Sequence, residues 1–185
     1  MRPPSLVATL VMVLGCATAP VTPRAPVAEP ACVGTIAAAP EGARRVEDPT
    51  LLASALGAEG EGRLCTGAVF EATRAVTVYR VWQRDRAHTE LGRWWSLERP
   101  VGPRASYRAQ NDICPEWSAL DAWSRCELRV GARFVLGPGQ SARCAGGSVL
   151  PRSAVNQVYI DNDTRQGRLF VERCEQLGAW PEPTP

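Results

Sequence analysis

Two short runs place a hydrogen-bonding side chain inside aromatic or aliphatic sequence: Ser96 in "RWWSLERP" (93–100) and Gln157 in "NQVYIDN" (156–162). A third polar residue sits in "RAVTVYRVW" (74–82). There, period-two alternation puts Val76, Val78, Arg80 and Trp82 on one strand face. An arginine on such a face is costly unless it is paired or lies at the sheet end. Other chemistries are poorly supplied. His88 is the one histidine and falls in the charged run "RDRAHTE", which reads as a solvated loop. No C-x-x-C occurs, so a zinc site lacks its usual ligands and a Cys–His nucleophile would depend on His88. Glu116 follows Pro115 at an expected helix start, where the helix dipole accounts for a carboxylate.

The elements that must position these residues are short. Residues 49–58, "PTLLASALGA", read as a helix with Pro49 in its first turn and Gly57 near its end. "TGAVFEA" (66–72), "RAVTVYRVW" (74–82) and "RWWSL" (93–97) read as strands. "CPEWSALDAW" (114–123) is a helix candidate. "CELRVGARFVL" (126–136) is a strand or bent strand pair, with Gly131 allowing the bend. "NQVYI" and "RLFVERC" flank the turn-rich "DNDTRQG" and predict a hairpin. The pattern is α+β, a small strand-rich domain with short helices.

The N-terminus predicts export. Arg2 precedes a short apolar run, Ser5 to Leu14, and "VLGC" (13–16) follows the lipobox pattern of bacterial lipoproteins. Residues 1–15 then form the signal peptide and Cys16 is the lipidated residue. Residues 16–31 form a proline-rich spacer, with Pro at 20, 23, 26 and 30. One globular domain is expected over 32–180, followed by a tail at 181–185. Lipid chains would hold the domain at the membrane of a bacterial envelope, the outer membrane before the inner.

Without Cys16, six cysteines remain: Cys32, Cys65, Cys114, Cys126, Cys144 and Cys174. An even number in an exported chain predicts disulfides and no metal. Six cysteines allow fifteen connectivities. Local closure favours Cys114–Cys126, with Cys144–Cys174 and Cys32–Cys65 as the remaining pairs. The net charge is +2 and no basic block occurs, which argues against nucleic-acid binding.

Four segments taken in order, "VYRVW" (78–82), "GRWWSLERPVGP" (92–103), "CPEWSAL" (114–120) and "LPRSAVNQVYI" (150–160), resemble a C-terminal domain of bacterial polymorphic toxins. That domain belongs to the ADP-ribosyltransferase and NAD-glycohydrolase group. The resemblance places a toxin-like core at about 66–174 and implies split sheets around an NAD-binding cleft. Carried over by position, it gives Arg80 to the NAD phosphates or ribose, for which a planar guanidinium is suited. Gln157 takes the place of the catalytic Glu or Gln, and Ser96 holds the arginine or ribose. Trp95 or Trp94 forms a wall for nicotinamide, and Tyr79 and Asn156 complete the contacts. Where such toxins carry a glycine-rich turn, this chain has Ser153, Ala154 and Val155. NAD is the implied substrate, no cofactor is held permanently, and an immunity protein is an implied partner.

Two functions of different class follow. One is a lipid-anchored interbacterial effector that hydrolyses NAD or transfers its ADP-ribose. The other is a non-catalytic, disulfide-rich envelope lipoprotein that binds a partner or a small ligand. In the second, Arg80 pairs with Glu90 or Glu98, the tryptophans fill the core, and Gln157 lies on a solvent face.

Overall fold

Valine-, alanine- and aromatic-rich segments pair into antiparallel sheets in a computed structural model that describes residues 31–181. The signal peptide, Cys16, most of the spacer and the tail beyond 181 lie outside the described residues. In chain order the elements are β1 (Ala43–Arg45), α1 (Pro49–Ala55), β2 (Ala68–Ala72), β3 (Val76–Trp82), β4 (Trp94–Trp95) and α2 (Arg104–Gln110). Then come β5 (Ala122–Leu128), β6 (Arg133–Gly139), β7 (Ala142–Arg143), β8 (Val149–Leu150), β9 (Ser153–Tyr159) and β10 (Val171–Ala179). The domain is α+β, rich in strand, with two short helices and three disulfides.

A five-stranded sheet runs β1-β2-β6-β9-β4, and a three-stranded sheet runs β10-β5-β3. They are joined by a backbone pair: Tyr79 N donates to Ser96 O and Ser96 N donates to Tyr79 O, each at 2.8 Å. Side chains from both sheets meet in one core containing Phe70, Val78, Trp95, Leu128, Phe134 and Val158. The rings of Phe70 and Phe134 stack at 5.7 Å.

Helix α1 starts where Asp48 Oδ1 accepts from Leu51 N at 3.0 Å and Pro49 supplies a preset φ. Its Leu51 and Leu52 pack against Val69, Val135 and Tyr159. Helix α2, "RASYRAQ", has no β-branched residue, in keeping with its helicity. It places Tyr107 against Trp180 at 4.8 Å, within a cluster that includes Val81, Leu120 and Trp123.

Two expectations about elements are corrected. The segment 114–123 is not a helix: Cys114 is tied to Cys144, Leu120 adopts φ 52°, and the chain is already strand at Ala122. The segments around "DNDTRQG" do not form a hairpin. A short turn closes at Asp163 and Arg168, but β9 pairs with β6 and β4 whereas β10 pairs with β5 in the other sheet. Each strand thereby makes its backbone pairs with its own sheet's partners instead of with the other. Gly131, at φ 83°, does bend the chain between β5 and β6, which likewise lie in different sheets.

The disulfides are Cys32–Cys65, Cys114–Cys144 and Cys126–Cys174. The first pair is as expected; Cys114–Cys126 and Cys144–Cys174 are not formed. Sequence proximity misleads because Cys126 lies on β5 beside β10, where Cys174 is 4.1 Å away between Cα atoms. Cys114 instead closes on the segment that follows β7.

Candidate functional site

Strands of both sheets bring part of the expected set together. Arg80 on β3, Trp94 and Trp95 on β4 and Gln157 on β9 line one cavity of about 320 Å³. Tyr79, Asn156 and Ser96, the other expected residues, are not among the lining residues. Tyr79 faces the other side of its strand and stacks on Trp123 at 6.4 Å. Asn156 donates to Thr35 O at 2.9 Å and accepts from Ala37 N at 3.1 Å, fastening the N-terminal segment. Ser96 is buried at the sheet junction, where its hydroxyl donates to Glu98 O at 2.7 Å. Adjacency along a strand does not settle membership: Arg80 and Val81 both line the cavity, as do Trp94 and Trp95, whereas Tyr79 and Asn156 are engaged elsewhere.

Arg80 is held by main-chain carbonyls. Its Nε donates to Thr89 O at 2.8 Å and its Nη1 to Trp94 O. It pairs with neither Glu90 nor Glu98. Glu90 instead accepts from Ser124 Oγ at 2.8 Å and Gln176 Nε2 at 2.7 Å. Burial pushes the guanidinium down to about 10, which leaves it cationic at neutral pH. Gly92 makes room for it, since a Cβ there would stand 2.6 Å from Arg80 Nη2 and 2.8 Å from Cζ.

Sequence reasoning missed the carboxyl of the site. Asp112 follows α2, is 1% exposed, and lines the same cavity. Its Oδ2 accepts from Gln157 Nε2 at 3.3 Å, while its Oδ1 has no hydrogen-bond partner. Burial pushes this carboxyl up to about 8. Gly139 provides its berth: a Cβ at that position would lie 1.8 Å from Asp112 Oδ2 and 2.8 Å from Gln157 Nε2. The signal was present in "YRAQND", a helix-forming run ended by two residues that tolerate left-handed backbone; Asp112 has φ 53°.

Tyr107 of α2 adds a hydroxyl to the cavity wall. Burial pushes it up to about 12, against smaller opposing effects of the Arg80 charge and the Ser96 hydroxyl. Glu61, Arg63 and the half-exposed Trp117 also line the cavity, and the Trp117 ring lies against Gly62.

The loop after Asp112 is fastened from α2. Arg108 donates to Cys114 O at 3.2 Å and Ser118 O at 2.6 Å, and Arg104 Nε donates to Leu120 O at 2.9 Å. Cys114, Glu116 and Cys144 lie close enough to share a cation, but the two sulfurs are bonded to each other and Glu116 accepts from Ala145 N at 2.5 Å. These groups are occupied in holding the loop. His88 is exposed in a short 3-10 turn, Ala87–Thr89.

The arrangement thus combines a guanidinium, a largely neutral carboxyl, an amide and aromatic walls. A buried carboxyl shifted toward neutral pH is the kind of group that moves protons. No helix among the described residues is long and apolar enough to cross a membrane. No protein-family model, curated protein or solved structure matches the chain.

Proposed function

We propose that the cavity binds a small ligand carrying an anionic group and a flat ring, with NAD as the candidate substrate, and that the domain works in a bacterial cell envelope, tethered by Cys16 to a membrane, the outer before the inner. The observation that carries this reading is the convergence of Arg80, Trp95 and Gln157, from strands of both sheets, on one cavity. Arg80 receives the anionic group and Trp94 and Trp95 flank the ring. Three disulfides suit an oxidising compartment.

Cleavage of NAD breaks the ribose–nicotinamide C–N bond. The electron pair leaves with nicotinamide, and water or an acceptor nucleophile takes its place on the ribose. The carbon passes through a cation-like state, which a carboxylate stabilises better than an amide. Asp112 therefore takes the carboxyl role that the resemblance gave to the position of Gln157, and Gln157 orients Asp112. Toxin activity and an immunity partner are further proposals that rest on the same resemblance.

The test is NAD affinity and NAD consumption by the oxidised full-length protein. Wild type is expected to bind and consume NAD. Arg80→Ala should lose affinity by about 2–5 kcal/mol, as when one partner of a buried charged contact is removed. Arg80→Lys should restore part of it, because a point charge does not reproduce the guanidinium fork. Binding without turnover would mark a non-catalytic receptor. Absence of binding in the folded, oxidised protein would sink the NAD reading.

A further inference from the structure

Arg80 and Asp112 are oppositely charged in their ionised forms, line the same cavity, and are not paired with each other or with any other ionic partner among the described residues. The guanidinium spends Nε and Nη1 on carbonyls, and no described residue accepts from Nη2. The carboxyl has one amide contact and one oxygen without a partner. A charge taken out of water needs a partner, and proteins normally supply it from their own side chains. Here the fold keeps the two groups apart, each beside a glycine whose missing Cβ makes room for it.

We infer that the cavity selects a zwitterionic ligand, with its anionic group on Arg80 and its cationic group on Asp112. Trp94, Trp95 and Tyr107 contribute to this choice, because aromatic faces attract a cation and not its neutral counterpart. An anion alone gains nothing from Asp112, which stays protonated beside it. A cation alone meets the repulsion of Arg80. The inference rests on the ligand reading above and sharpens it: a nicotinamide nucleotide fits when its ring is oxidised and positively charged. The reduced ring is neutral and does not fit.

Proton linkage follows. In the empty cavity burial keeps Asp112 mostly neutral below about 8. A ligand cation favours the carboxylate, so binding at neutral pH releases a proton. Affinity then rises with pH, roughly tenfold per unit well below that value, and levels off above it. The other charged or titratable groups around the cavity are Arg80 from β3, Tyr107 from α2, and Glu61 and Arg63 from the segment before β2. From β6 and β9, Asp112 is faced by Gly139 and Gln157, which do not titrate.

Calorimetric titration of the oxidised full-length protein tests this with three probes: nicotinamide mononucleotide, which carries both charges; its reduced form, which lacks the cation; and nicotinamide riboside, which lacks the anion. The mononucleotide is expected to bind at least about tenfold tighter than either, with proton release read from buffers of different ionisation enthalpy. Asp112→Asn should reduce its affinity to that of the reduced form and abolish the proton release. Arg80→Gln should reduce it to that of the riboside. Equal affinity for oxidised and reduced mononucleotide, or binding without proton release, overturns the inference while leaving the nicotinamide reading in place. Failure of all three probes and of NAD to bind overturns both. If Asp112→Asn does not fold, the wild-type protein still discriminates: its relative affinity for the two redox forms and its proton count upon binding support or overturn the inference without the variant.

Discussion

The side-chain amide of Gln157 donates to Asp112 Oδ2 across 3.3 Å, tying the middle of β9 to the residue that follows α2. It is the one hydrogen bond to that carboxyl among the described residues, and it leaves Oδ1 unmatched. A buried carboxyl of the cavity wall is therefore left with an unsatisfied oxygen.

Stability should fall as pH rises because of Asp112. Its folded value, about 8, lies above the ordinary 3.8. Between those values the folded state holds a proton that the unfolded state has lost, so the contribution to stability declines with pH and levels off above about 8. Asp112→Asn tolerates the same backbone and carries no charge. The variant should lose this slope and be the more stable form at pH 8, by about 1–3 kcal/mol, the scale of a relieved buried polar group. Thermal melts from pH 4 to 9 provide the check; a parallel pH profile for wild type and variant would refute the assignment.

The two glycines of the site should differ in what they break. At Gly92 a methyl group meets the tip of the Arg80 side chain, which can swing aside. Gly92→Ala should keep the fold and weaken anion binding about tenfold or more, a loss of at least ~1.4 kcal/mol. At Gly139 it meets the confined Asp112 and Gln157 side chains, with the carboxyl oxygen 1.8 Å away. Gly139→Ala should destabilise the domain by about 1–3 kcal/mol through overpacking. Denaturant titration beside ligand titration separates the two outcomes.

Non-reducing peptide mapping should recover the links 32–65, 114–144 and 126–174. Paired Cys→Ala changes at 126/174 and at 114/144 each remove a cross-link closing a loop of 48 or 30 residues. Each should cost about 3–4 kcal/mol on the chain-entropy account. The 114/144 pair should also impair ligand binding, because that bridge anchors the loop carrying Ile113, Trp117 and Ser118 around the cavity.

For the membrane tether, Cys16→Ser should leave the protein unprocessed or release it from the membrane fraction. Fractionation showing unchanged association would remove the lipoprotein proposal.

The strands were legible because β-branched and aromatic residues mark them, and the period-two pattern around Arg80 correctly sets it on an inward face. Which strand pairs with which was not legible. The turn between β9 and β10 looks like a hairpin, and only the competition among ten strands for partners sends the two to different sheets. Arg80 and Gln157 stood out as polar residues within apolar runs. Asp112 did not, because "QNDIC" has the composition of a loop, and its burial is set by α2, Gly139 and Gln157, all distant in sequence or unmarked by pattern. Ser96 stood out as Gln157 did, but it lies at the sheet junction, and Tyr79 and Asn156, which came with the resemblance, are engaged with Trp123 and with the N-terminal segment.

The two sheets meet at the reciprocal backbone pair of Tyr79 and Ser96, and none of the three disulfides ties a strand of one sheet to a strand of the other. Arg80 reaches the cavity from one side of this seam and Gln157 from the other. A ligand bound as proposed, by Arg80 of one sheet and against Trp94 and Trp95 of the other, would act as a clasp across the seam. Its occupancy should resist the parting of the halves, raising the melting temperature with ligand concentration as mass action requires, and protecting the amide hydrogens of Tyr79 and Ser96 from exchange more than those at the outer edges of either sheet.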